Sequence, residues 1–240
     1  MPRLGLGSSL TGGAALVEDT VLENTYSVSF DGSDDHMEVS STSFELDVFS
    51  ISAWVRYNGT HASNWASVIS VGHLDSGYGW VLGTSNSATN IGLWALSSGT
   101  GWGHTGAISM TVDAWTHIVA TYDGSTVSVY KDAATPVTAS RSGTITYTGI
   151  SKLYIGEDGA GGRNINANID EVSFWNKALD SSEVTDIYND GVPTDLSGES
   201  GLVAYWRFET GSGTSCADSS DNSNTGTLVN SPTWDTDVPS

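Results

Sequence analysis

Three groups of residues in this sequence have types and spacings that could do chemistry. The first is an oxygen-rich loop. The segment ADSSDNSNTG (217–226) packs Asp218, Asp221, Asn222 and Asn224 into a few residues and closes on Gly226. Calcium takes six to eight oxygen ligands from carboxylates, amides and carbonyls, and such a loop offers them. The spacing is not that of an EF-hand, and no Glu stands at the twelfth position. Asp218, Asn222 and Asn224 are the candidate ligands, with Asp170 of IDEV as a further one from a neighbouring strand. The same residue types also build Asx-turns that satisfy only backbone amides, so both readings stay open. A cation bound here is expected to be structural.

The second group is aromatic. SSGTGWGHTGA (97–107) sets Trp102 and His104 among glycines, NGTHASNWAS (58–67) sets Trp65 among polar residues, and DSGYGW (75–80) adds Tyr78. Rings with little core to enter can stack on sugars. Trp65, Tyr78, Trp102 and His104 are therefore the candidate ligand-binding residues, provided their loops converge on one rim. An interface with another subunit is an equal alternative for Trp65 and Trp102. Trp54, Trp94, Trp115, Trp175 and Trp206 fall in strand-like segments and are expected to pack.

The third group is titratable. The five His stand apart, at 36, 61, 73, 104 and 117. His117 sits in a strand-like segment, where a structural role is expected. Cys216 is alone, so the chain can form no internal disulfide and no Cys/His metal cluster. Asp170 and Glu171 are adjacent. On a regular strand they point to opposite faces and cannot act as a pair. No G-x-S-x-G motif and no P-loop occurs. These observations give the expectation of a protein that is not an enzyme.

The elements that must position these residues are β-strands. Hydrophobic residues make up 38% of the 240 and charged residues 15%, below the averages of about 45–50% and about 25%. With 28 Gly and 9 Trp, this composition indicates an all-β protein with many turns. In FSISAWVRY, residues Phe49, Ile51, Ala53, Val55 and Tyr57 fall on one face, the period of a half-buried strand. ASVISVG, GYGWVLGT, NIGLWALS, WTHIVATY, TVSVYKD, KLYIG, NIDEVSFW and LVAYWRF read the same way. Asp123-Gly124 marks a hairpin. The one helix expected is ALDSSEVTDIYNDG, with Asp180 and Glu183 as a capping box and Gly191 placed to end it. Residues 1–25 read as an extended arm and 26–240 as a single domain.

Charge bounds the partners. Eight Lys and Arg face 28 Asp and Glu, a net charge of −20. Nucleic acid and anionic membranes would be repelled, so neither is expected as a partner. No run of 18 apolar residues exists to span a membrane. The first residues hold one Arg but no apolar stretch of signal-peptide length, which gives the expectation of no secretory route.

FDGSDDHMEVS, FSISAWVR, AWTHIVATYDGSTVSVYKD, LYIG and IDEVSFWNKALDSSEV occur in that order. Together they resemble the laminin-G-like, concanavalin A-like jelly-roll family, over roughly residues 26–234. The resemblance implies a sandwich of two antiparallel sheets with one short helix. It also implies a module that binds glycans or proteins, often with calcium. The 217–226 loop is similar to the family's D-S-S-G-N-G-N loop, with Asp221 where Gly often stands. The family's glucan hydrolases carry E-x-D-x-x-E or E-x-D-x-E on one strand, and this chain has no such string. LVAYWRFETGSGTSCADSSDNSNTGTLVNSPTW (202–234) resembles the family's opening strands, yet it stands at the end. A permuted strand pair filling the same slot is expected, with strand exchange between chains as the rival.

Stand-alone domains of this kind resemble virion accessory proteins of tailed bacteriophages. The functional expectation is a virion-surface structural protein of decoration or fibre type, assembled in the host cytoplasm and binding glycans weakly. The Gly-rich arm would dock on other virion or self subunits, and a trimer would suit such a protein. The alternative is a secreted, calcium-dependent carbohydrate-binding or adhesion module, which would be extracellular. A glycoside hydrolase ranks behind both.

Overall fold

The computed structural model describes residues 22–40, 42–59, 65–73, 78–85, 89–97, 101–104 and 108–240, with backbone alone for 96, 97 and 101–104. Most of the expected arm, residues 1–21, lies outside the described residues, as does His61. The first strands in chain order are β1 (Ser27–Asp31), β2 (His36–Ser40), β3 (Phe49–Tyr57), β4 (Ser67–His73), β5 (Tyr78–Thr84) and β6 (Asn90–Ser97). Then come β7 (Gly101–His104), β8 (Ile108–Ser109), β9 (Trp115–Tyr122), β10 (Thr126–Lys131), β11 (Val137–Ser140), β12 (Lys152–Ile155) and β13 (Asn166–Trp175). Helix α1 (Ser181–Tyr188) follows, and β14 (Leu202–Trp206), β15 (Ser215–Cys216), β16 (Gly226–Val229) and β17 (Thr233–Asp235) close the described chain.

These strands form two antiparallel sheets packed face to face, a concanavalin A-like jelly roll. Sheet 1 runs β11-β10-β9-β3-β13-β1-β17, and β14 also pairs with β13. Sheet 2 runs β15-β16-β2-β12-β4-β5-β6-β7, and β8 also pairs with β6. The core follows from alternation. Phe49, Ile51, Ala53, Val55 and Tyr57 of β3 are fully buried between the sheets, against Trp80 and Leu82 of β5 and Ile91 and Leu93 of β6. Phe49, Trp80 and Phe174 stack at the centre, with ring centroids 5.0–5.7 Å apart. Such ring pairs add about 0.5–1.5 kcal/mol each beyond the area they bury.

The opposite side of sheet 1 is buried as well, because α1 lies on it. Val184 and Ile187 of the helix pack with Leu179 and Leu196 on Val119, Tyr130 and Trp175. Asp180 accepts from the Ser182 and Glu183 amides while Glu183 returns a bond to the Asp180 amide, so the capping box is formed. The helix ends earlier than Gly191. Asn189 takes the left-handed conformation (φ +46°) at the cap, and Gly191 closes the 3-10 turn that follows. Asn tolerates that conformation through local side-chain hydrogen bonds, and Asn189 makes one to the Val192 carbonyl.

The C-terminal segment serves both sheets of its own chain. β14 pairs with β13 and places Tyr205 opposite Ser173. β16 pairs with β2, and β17 pairs with β1. Among the described residues, no helix is long and apolar enough to cross a membrane.

Candidate cation site and ligand face

β13 carries a fault that builds a site. On one edge it pairs with β3; on the other it pairs first with β1 and then with β14. The register with β3 slips between Asp170 and Ser173, and Glu171 has φ +49°. This is a β-bulge. It lets Ile169 and Val172, three residues apart, both enter the core. The alternation that would send Asp170 and Glu171 to opposite faces is therefore broken, a correction to the regular-strand expectation. Both carboxyls are buried, at 0% and 3% exposure, and the Glu171 charge raises the cost of ionising Asp170.

Residues from both chain ends converge on the bulge. Arg207 donates to the Glu23 carbonyl at 2.6 Å, and Asn24 donates to the Pro239 carbonyl at 3.3 Å. Glu209 accepts from the Thr25 and Tyr26 amides. Asp170 Oδ1 accepts from the Glu171 amide, and Glu171 Oε2 from the Tyr205 hydroxyl. Three buried oxygens are left with no hydrogen-bond donor: Asn24 Oδ1, Asp170 Oδ2 and Glu171 Oε1. Arg207 Nε stands 3.6 Å from Glu171 Oε1, too far for a hydrogen bond. Burial first, then the Glu171 charge, pushes Asp170 well above the carboxylate range. Burial likewise pushes Glu171 up to about 7, against the Tyr205 bond and the Arg207 charge. Buried oxygens without donors either stay protonated or meet a cation. Glu171 Oε1 already has the Arg207 guanidinium as its charged neighbour, which leaves Asp170 Oδ2 and Asn24 Oδ1 as the oxygens open to a hard cation such as calcium.

The hydrogen bonds of the four expected ligands fall in two groups, those of Asp218, Asn222 and Asn224 around β14 and that of Asp170 at the bulge. Asp218 accepts from the Tyr205 and Ser220 amides with Oδ1 and from the Asn224 amide with Oδ2, at 2.7–2.9 Å. Asn222 and Asn224 donate to the Leu202 and Val203 carbonyls. The loop thus staples itself to β14 as an Asx-turn would. Asp170 faces Asn24 and Glu171 and shares no hydrogen-bond partner with Asp218. Asp31, Asp34 and Asp35 also cluster, in the turn between β1 and β2. There Asp31 caps the Ser33 amide and Asp35 the Asp31 amide.

The aromatic candidates separate into two places on the outer face of sheet 2. Trp65 is 37% exposed and meets Trp94 edge-on at 5.9 Å. Tyr78 stands opposite His73, at the far end of β4. At about 3.3 Å per residue, that is roughly 20 Å from the start of the strand, so the two do not share a rim. The β6–β7 register sets the backbone of His104 opposite Trp94 and that of Trp102 opposite Leu96; the side chains of Trp102 and His104 lie outside the described residues. Tyr78 lines a cleft of about 200 Å3 with His73, Lys152 and Tyr154.

His117 is enclosed on the outer face of sheet 1. Its ring packs against Trp54 and Tyr188, which also meet each other at 6.0 Å, and Nε2 is 2.7 Å from the Ser52 hydroxyl. Burial pushes it down to about 3. A general base needs a value near the working pH, so this Ser-His contact is a packing feature beneath α1.

The sequence model of the concanavalin A-like lectin/glucanases superfamily matches residues 31–185 of the 240, well over half of the chain. The chain belongs to this superfamily. No curated protein matches it in sequence. Among solved structures, it is similar to a candidate carbohydrate-binding protein from Bacteroides ovatus, with a TM-score of 0.64 and 17% identity. That match covers 91% of this chain and 62% of the Bacteroides protein. It is also similar to the heptameric SAP-like pentraxin of Limulus polyphemus, with a TM-score of 0.53 and 17% identity, covering 68% of this chain and 82% of that one. At these identities the likeness is one of fold.

The superfamily fold explains why the bulge cluster was missed in sequence. Asn24, Glu171 and Glu209 stand far apart along the chain, and only β1 and β14 meeting on one edge of β13 assembles them. One signal was available: Ile169 and Val172, both apolar, are spaced by three where a strand uses two.

Proposed function

We propose that the chain is a carbohydrate-binding module that does not hydrolyse its ligand, and that its ligand face is the outer surface of sheet 2. One observation carries this reading: the two outer faces are unlike. On sheet 1, α1 covers β9, β10 and β13, whereas sheet 2 presents Trp65 edge-on to Trp94 and a cleft beside Tyr78 and Tyr154. The carbohydrate-binding name of the Bacteroides relative supports the same class of ligand. The carboxyls of Asp170 and Glu171 are buried on adjacent residues, whereas retaining hydrolysis needs two acids reached by the substrate on either side of a glycosidic bond. In this reading they hold a structural calcium that ties both chain ends to β13.

A glycan array probed with the wild-type chain and Trp65→Ala tests the proposal. Binding to a defined set of glycans is expected, weakened several-fold by Trp65→Ala. An array on which nothing binds would contradict it.

A second reading makes the module a virion-surface structural protein, with glycan binding secondary. Its support is the way Glu209 and Arg207 grip residues 23–26, which would fix the direction in which a preceding arm leaves the domain. Cryo-electron microscopy of assembled particles, with residues 1–25 traced against neighbouring subunits, tests it.

A further inference from the structure

We infer that the cleft beside Tyr78 is a subsite for a single uncharged sugar residue of a glycan; the inference rests on the carbohydrate-binding reading above. The cleft is built into the sheet. Gly72 and Gly79 face each other across β4 and β5, both with positive φ (+95° and +82°). A Cβ on Gly79 would stand 1.7 Å from the Val71 carbonyl oxygen, and one on Gly72 would stand 2.4 Å from the Tyr78 carbonyl oxygen. Neither position admits a side chain of its own, and Ile150 floors the cleft over both glycines, its Cδ1 2.7 and 3.1 Å from where those Cβ atoms would stand. Each glycine also anchors a wall. The Gly79 amide donates to the Thr146 carbonyl at 2.7 Å, fixing the start of the segment that runs on to β12. The Gly72 carbonyl accepts from the Gly159 amide at 3.1 Å, fixing the loop after β12. A rigid, pre-formed recess loses little entropy on binding.

Size and charge choose the ligand. About 200 Å3 is below the about 300–1,000 Å3 of drug-sized pockets, so the cleft holds one ring and not a run of them. Tyr78 and Tyr154, both partly exposed, supply aromatic surface, and Ser151 and backbone groups supply hydrogen-bonding partners. Among the described residues lining the cleft, Lys152 is the one fixed positive charge, and its ammonium is engaged by Glu38 at 2.5 Å. No cation is left to hold a carboxylate. The field of a chain with net charge −20 repels anions as well. Uronic and sialic acids are thereby disfavoured, and a neutral residue fits.

The test uses the full chain on an array carrying neutral, sialylated and uronic-acid-terminated saccharides, with Tyr78→Ala, Ser151→Trp and Trp65→Ala alongside. Ser151 is exposed, so the Trp fills the cleft without entering the core, and thermal melting checks that each variant folds. Binding to neutral saccharides that falls at least tenfold in both Tyr78→Ala and Ser151→Trp is the expected result. Binding that survives both but is lost in Trp65→Ala overturns the cleft while leaving the carbohydrate reading in place. A preference for acidic saccharides overturns the neutral class. Silence across the whole array overturns the carbohydrate reading together with the cleft.

Discussion

Asp170 and Glu171 are the residues whose state depends most on what surrounds them. Each is buried with one oxygen that meets no donor, and Asn24 adds a third. Without a cation, Glu171 stabilises the fold as the neutral acid. That contribution is whole below its ordinary value near 4.5 and is lost as pH rises through about 7. A divalent cation bound at the bulge would take the proton's place. Calcium at a hundred times its Kd adds about 2.7 kcal/mol, which in a domain of this size raises Tm by roughly 5–10 °C. The rise should be large at pH 8 and small at pH 5. Asp170→Asn should remove it. Melting curves with calcium and with EDTA check both. An equal calcium effect in the wild type and Asp170→Asn would show that the ion binds elsewhere.

At the scale of elements, α1 decides which face of the sandwich is closed. Its start rests on Asp180, whose carboxylate accepts two amides at 2.8 and 3.0 Å. Asp180→Ala should cost about 1 kcal/mol, measured by urea denaturation; an unchanged midpoint would show that packing alone holds the helix. This helix was legible in sequence because the cap, the return bond from Glu183 and the Val184/Ile187 face are all local. The strands were legible for a similar reason. One face of FSISAWVRY enters the core, and period two follows from that. Two features were not legible. The bulge at Asp170 and Glu171 breaks the alternation that sequence reasoning assumes, and its partners come from both chain ends. The distance between Trp65 and Tyr78 was hidden because loops near one another in sequence leave opposite ends of the same strand. The Asp218 loop could be read either way from its composition. In the fold its carboxylate lies against three backbone amides.

For the whole molecule, the account rests on an asymmetry between two sheets of similar size. Sheet 1 is packed on both sides, by the core and by α1. The outer side of sheet 2 is covered only in part: Ser70, Val81 and Trp94 are buried there, while Tyr78, Tyr154 and Lys152 stay partly exposed. Residues near the start of the described chain meet its C-terminal residues beside the bulge, where Asn24 donates to Pro239. A chain of 25.1 kDa is within reach of amide chemical-shift mapping, and that is the most direct test of the central claim. The isotope-labelled protein would be titrated with a neutral saccharide selected on the array. Shifts confined to β4, β5, β12 and the loops that flank them are the predicted result. Shifts centred on α1 and the outer face of sheet 1 would contradict the account.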